Sequence, residues 1–123
     1  MTEPRIVTLD TIDHGPVTFD CPAWCIGHGW QMGAGIGRND ITHNSVRVKA
    51  GVETESHDWL PLLNARVSWA PFVELVPVVT VELDVQGDFP AEDIGRLITG
   101  LDTVQRRLAK VAGEAIRLRG EIT

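Results

Sequence analysis

Val79-Thr80-Val81-Glu82-Leu83-Asp84-Val85, followed by Phe89-Pro90-Ala91-Glu92-Asp93 and a long apolar stripe, decides the fold class. The first segment alternates apolar and polar residues with a period of two, the signature of a half-buried strand. Pro77 marks its start or a sheet edge, and Gly87-Asp88 ends it. Beyond Pro90 the period changes. Apolar residues recur at Ile94, Leu97, Leu101, Val104, Leu108, Val111, Ala115 and Leu118, three or four apart, which is one face of a helix. Pro90 suits a first helical turn, and Glu92 and Asp93 complement the positive end of the helix dipole. Gly95, Gly100 and Gly113 each weaken the helix by about 1 kcal/mol relative to Ala, so packing must hold it.

Working toward the N-terminus, Val46 to Val52 also alternates and reads as a strand, and Ala65 to Trp69 as a shorter one. Glu53 to Pro61 is polar and reads as a loop. Arg5 to Leu9 and Val17 to Phe19 flank Asp13-His14-Gly15-Pro16, the pattern of a hairpin. Several half-buried strands need a cover, and one amphipathic helix supplies it. The expected class is α+β: a small antiparallel sheet of four or five strands covered by a single long C-terminal helix. The same stripe, sustained over several heptads, would also suit a coiled coil, so a homodimer through the helix is compatible with it.

The chemistry lies in Cys21-Pro22-Ala23-Trp24-Cys25-Ile26-Gly27-His28, followed after a glycine-rich stretch by His43. Both cysteines of the chain and two of its four histidines fall here. Two thiolates and two imidazoles are the number and kind of donors that close a tetrahedral zinc site. A Cys-x3-Cys-x2-His segment places three donors on one tight turn. Pro22 stiffens that turn, Trp24 can cover it from water, and His43 would close the sphere. The expected ligands are therefore Cys21, Cys25, His28 and His43, with His57 in reserve for the fourth place. Two buried thiols, a labile disulfide or an iron–sulfur cluster are the competing readings. The last is short of cysteines.

With Cys-Pro-x-Trp-Cys-x2-His, a His ahead of a strand, the alternating strand and the Pro-Ala-Glu-Asp helix, the chain resembles a group of small uncharacterised actinobacterial and actinophage proteins. The resemblance runs from about Val17 to Ala112, and its Cys-Pro-x-Trp-Cys signature is the specific part. It implies a metal site at Cys21, Cys25, His28 and His43, and carries no activity with it.

The bounds agree. A chain of 123 residues reads as one domain spanning 1–123, with a metal lobe over about 17–45 and a sheet and helix over about 46–119. No membrane-length apolar run and no secretory leader pattern occur, so a cytoplasmic location is expected. In a reducing cytosol paired cysteines read as ligands rather than a disulfide. The net charge of −6 speaks against a non-specific nucleic-acid or anionic-membrane binder and leaves room for a local basic face. Gly33-Ala34-Gly35-Ile36-Gly37-Arg38 lacks the flanking strand, helix and Lys-Ser/Thr of a phosphate loop and reads as a linker between ligands. His14 reads as solvated, and Trp30, Trp59 and Trp69 as core or as cover for the metal lobe.

Four protein ligands leave zinc no water to activate, and no paired-carboxylate or nucleophile-elbow motif is present. The expected function is a non-catalytic, zinc-stabilised module that binds another protein. Two alternatives stand beside it. One is a small metalloenzyme using Cys21, Cys25 and His28 as ligands with His43 free as a base. The other is a nucleic-acid binder using the helix face that carries Arg96, Arg106, Arg107 and Lys110.

Overall fold

The computed structural model describes residues 5–33, 35–55 and 58–122. His57, the reserve ligand, lies outside the described residues. The class is α+β. Strands β1 (Arg5–Thr11) and β2 (Gly15–Cys21) form the expected hairpin. They stand as a separate two-stranded sheet rather than joining one sheet with the other strands. The odd-numbered residues share its inner face: Val7 pairs with Phe19 and Leu9 with Val17. Leu9 and Phe19 are buried with Ile41, and Val7, Val17, Ile36 and Phe72 pack around them.

The second sheet is built on β5 (Leu60–Trp69). On one side β5 pairs with β3 (His43–Asn44) and then with β4 (Val48–Val52); on the other it pairs with β6 (Val78–Leu83). All pairings are antiparallel. Strand β5 starts one residue before Pro61, so the expected loop ends earlier and the strand is longer than its local pattern indicated. The register shifts between Ala50 and Gly51, and Pro61 falls opposite Gly51 at that irregularity, where a residue without an N–H is tolerated. Strand β3 is only two residues long, too short for an alternation to show. Between β3 and β4 the chain is held by Ser45: its N–H donates to the Val67 carbonyl at 3.0 Å, and its hydroxyl accepts from the Val67 N–H at 2.9 Å.

A short 3-10 turn over Ala91–Asp93 leads into α1 (Ile94–Ile122), which lies across β4 and β5 and reaches β6 less. Val104, Val111, Ala115 and Leu118 are buried against Ala50, Val52, Leu62, Leu63, Ala65 and Val67, with Leu97 and Leu108 packed at the margin. The expected stripe is corrected at two places. Ile94 and Leu101 are exposed, and Gly100 is buried in place of Leu101. Here the helix approaches β4 so closely that a methyl group on Gly100 would sit 3.0 Å from Val52 Cβ. A glycine read from periodicity as a weakness is thus the contact that lets helix and sheet meet.

Gly113 is different, because a methyl group there would meet nothing within 4 Å. Gly113→Ala should therefore raise unfolding stability by about 0.5–1 kcal/mol, through helix propensity and a less entropic unfolded chain. Gly100→Ala should bring no such gain, since the clash with a strand-anchored Cβ opposes it. Urea denaturation of the two variants checks the order.

Two tryptophans also differ from expectation. Trp30 and Trp59 are largely exposed, while Trp24 and Trp69 are half-buried. Among the described residues no helix is long and apolar enough to cross a membrane.

Candidate metal centre

Strand β2 delivers Cys21 on the inner, buried face of the hairpin. A turn follows, closed by the Cys25 N–H donating to the Pro22 carbonyl at 3.0 Å, and it returns Cys25 beside Cys21. Three residues on, His28 opens a second turn in which the Gln31 N–H donates to the His28 carbonyl at 2.8 Å. The glycine-rich stretch then crosses to the hairpin turn. It is fastened there by the Ile12 N–H on the Ile36 carbonyl at 2.9 Å and the Arg38 N–H on Asp13 Oδ1 at 2.9 Å. The chain comes back along β3, where pairing with the end of β5 sets His43 opposite Trp69. The Ile26 N–H donates to the Asn44 carbonyl at 2.9 Å, which ties the Cys25–His28 turn to β3.

The result brings all four expected residues together. One donor atom from each of Cys21, Cys25, His28 and His43 lies within 4.8 Å of every other, and all four residues are buried. Cys21 Sγ is 3.5 Å and Cys25 Sγ 3.6 Å from His28 Nε2, and His28 Nε2 is 3.2 Å from His43 Nδ1. A zinc tetrahedron with Zn–N near 2.0–2.1 Å and Zn–S near 2.3 Å has edges of about 3.3–3.8 Å. The three separations match those edges. The cysteines are free thiols, so the disulfide reading is set aside.

Residues around the donors hold them in place. Gln31 Oε1 is 3.0 Å from His28 Nδ1, and its amide Nε2 donates to the Asp40 carbonyl at 2.9 Å. That fixes the His28 ring with Nε2 turned to the cluster, the orienting role typical of groups behind a metal-bound imidazole. Arg5 donates from Nη2 to Cys21 Sγ and to the Cys25 carbonyl, both at 3.1 Å. The Gly27 N–H donates to Cys25 Sγ at 3.4 Å. The rings of Phe19, Trp24 and Trp69 stand 5.6–6.1 Å from that of His43 and exclude water. Sequence reasoning missed Gln31 and Arg5. Gln31 lay in plain view three residues after His28, whereas the Arg5–Cys21 contact depends on the hairpin register that pairs them.

The electrostatics set the two thiols apart, and Cys25 is the one held as a thiolate. Burial pushes the Cys21 thiol up, and neighbouring Cys25 adds to this against the pull of Arg5. Burial also pushes Cys25 up, but hydrogen bonds from the His28 and His43 side chains and from the backbone outweigh it and leave the thiol at about 5. Burial lowers His28, yet its hydrogen bonds to Cys25 and Gln31 raise it on balance. Two thiolates and a divalent ion sum to zero charge, a state that a dry core tolerates far better than bare thiolates.

The other candidate residues lie apart from this cluster. His14 is exposed beside Asp13, at 3.0 Å. The basic helix face is interleaved with carboxylates: Arg106 pairs with Asp102, and Arg117 with Glu114 and Glu121. Arg107 donates to the Lys49 carbonyl. No row of free cations for a phosphate backbone forms there among the described residues.

A family model described as a domain of unknown function, DUF6907, matches residues 6–117, most of the chain. No curated protein and no solved structure matches it.

Proposed function

We propose, for a chain that belongs to the DUF6907 family, a structural zinc ion held by Cys21, Cys25, His28 and His43 within a non-catalytic module that binds another protein. The observation that carries this reading is the donor geometry: four buried donors within 4.8 Å of one another, three of whose separations are close to the edges of a zinc tetrahedron. Two sulfur and two nitrogen donors suit zinc, which has no preference for more ligands or for another geometry. An iron–sulfur cluster of the mixed Cys/His kind places its histidines on a second iron. Donors gathered within 4.8 Å of one another leave no room for two irons and their bridging sulfides. Four protein ligands fill the sphere, so no position remains for a catalytic water.

When bound, the metal supplies cross-linking rather than reactivity. Among its described residues the segment from Pro22 to Thr42 contains no strand and one 3-10 turn, and the metal would join its two ends to the hairpin and to β5. The binding energy of such a site is folding energy. The cytoplasmic location and the likeness to actinobacterial and phage proteins belong to the same reading, since a reducing compartment keeps thiolates available.

Elemental analysis with X-ray absorption at the metal edge tests it. One zinc per chain with two sulfur and two nitrogen donors is expected. An oxygen donor in place of His43 would favour the metalloenzyme instead, and metal-free protein from a chelator-free preparation would end the proposal.

A further inference from the structure

Next to the metal lobe, on the sheet face away from α1, lies a cavity of about 330 Å³ lined by Ile26, Trp30, Asn44, Arg47 and Arg66. We infer that it is a docking site for a peptide segment in which an Asp or Glu side chain neighbours a large apolar one.

The walls carry the inference. Ile26 and Trp30 come from the metal-held turn, and both are exposed, at 57% and 58%, although each is large and apolar. Arg47 is exposed and forms no hydrogen bond or ion pair among the described residues. Arg66 is held more firmly. Its side chain is only 19% exposed, and Nε donates to Asn44 Oδ1 at 2.8 Å. Its Nη1 is buried with no hydrogen-bond partner, and the Glu82 carboxylate stays 3.9 Å away. No carboxylate lines the cavity. Two guanidiniums, Arg47 without a carboxylate partner among the described residues and Arg66 oriented by Asn44 with Glu82 only at 3.9 Å, thus flank an apolar surface. A planar carboxylate satisfies such donors in bidentate fashion. Exposed Trp beside Arg is the composition of an interface hot spot.

A nucleic acid offers stacking and phosphates to the same residues, but the net charge decides between them. A chain at −6 repels a polyanion along its whole length, and two arginines cannot offset that. A single carboxylate meets only the local field. The site rests on the proposed metal, because Ile26 and Trp30 sit on the turn that carries Cys25 and His28.

The test uses the full chain with its metal content measured. A display library of random linear peptides is selected on it. The best binder is then synthesised with an amidated C-terminus and titrated against the protein by calorimetry. Enriched peptides should share Asp or Glu beside an aromatic or aliphatic residue. Changing that acid to its amide should weaken binding about tenfold or more, the loss expected for a charge-assisted hydrogen bond. Trp30→Ala and Arg66→Gln should weaken it similarly. Arg47→Gln should too, and because Arg47 supports no other group it serves where Arg66→Gln fails to fold. Glu82→Gln should tighten binding, since it removes the competing carboxylate near Arg66. Peptides without a common acid, or affinity unchanged in folded Arg47→Gln, would overturn the inference. So would a single-stranded oligonucleotide that binds more tightly than any peptide. These results leave the metal reading standing when one zinc is measured. Loss of the metal reading instead shows as absent zinc, whatever the peptides do.

Discussion

Cys25→Ser should abolish stoichiometric metal binding and release the segment from Pro22 to Thr42 from its native fold. A serine hydroxyl does not ionise near neutral pH and is a poor zinc donor, so three ligands would remain around an ion that needs four. Structural zinc sites contribute apparent free energies of about 10–16 kcal/mol, as large as the whole stability of a small domain. The segment has little else to hold it. Ile41 is its fully buried apolar anchor, packed with Leu9 and Phe19; Ile36 and Trp24 pack at core margins, and the remaining ties are a few hydrogen bonds to the hairpin and to β3 and the Arg38 guanidinium over Phe72.

The damage should be graded. The buried residues of α1, β4 and β5 form a cluster separate from that of the hairpin. The helical circular-dichroism signal should therefore survive while amides from Cys21 to His43 lose their protection in hydrogen exchange. Chelation of the wild-type protein should reproduce the same pattern. A Cys25→Ser protein that keeps one zinc and full protection of this segment would refute the ligand assignment.

Leu118→Ala should cost about 2–5 kcal/mol of unfolding free energy, the range for emptying a buried leucine site. Leu118 is 2% exposed and closes the far end of the helix–sheet core. Ile116, two residues away and 64% exposed, should lose less than about 0.5 kcal/mol on the same truncation. The contrast separates two uses of the stripe. With the helix lying on its own sheet, Leu118→Ala lowers the urea midpoint without changing the assembly state. If the stripe were the seam of a helical dimer, wild-type stability would itself depend on protein concentration, and the same change would shift the assembly toward monomer. Equilibrium denaturation at two concentrations, with sedimentation, distinguishes them.

Much of the architecture was legible from short-range patterns. The period of two in Val79–Val85, the turn between β1 and β2 and the three-four stripe of α1 are local facts, and each appears in the structure near its expected place. The four clustered residues were legible for the same reason. Three of them lie within eight residues of chain, at a spacing that reads as donors for one metal.

What the sequence by itself determined, then, is the α+β class, the elements whose periodicity is local, and the kind of donors available to a metal. Only the tertiary structure decided the rest, because the rest depends on register and on distance of approach. Strand β3 exists because residues 43–44 find β5, not through any propensity of two residues. Gly100 replaces Leu101 in the core because Val52 lies 3.0 Å from where its methyl group would be. Arg5 reaches Cys21 because the hairpin register sets them opposite each other. Trp30 faces outward because the turn carrying it points His28 and Gln31 inward. In each case a partner distant in the chain sets the outcome, and no local period encodes the identity of that partner.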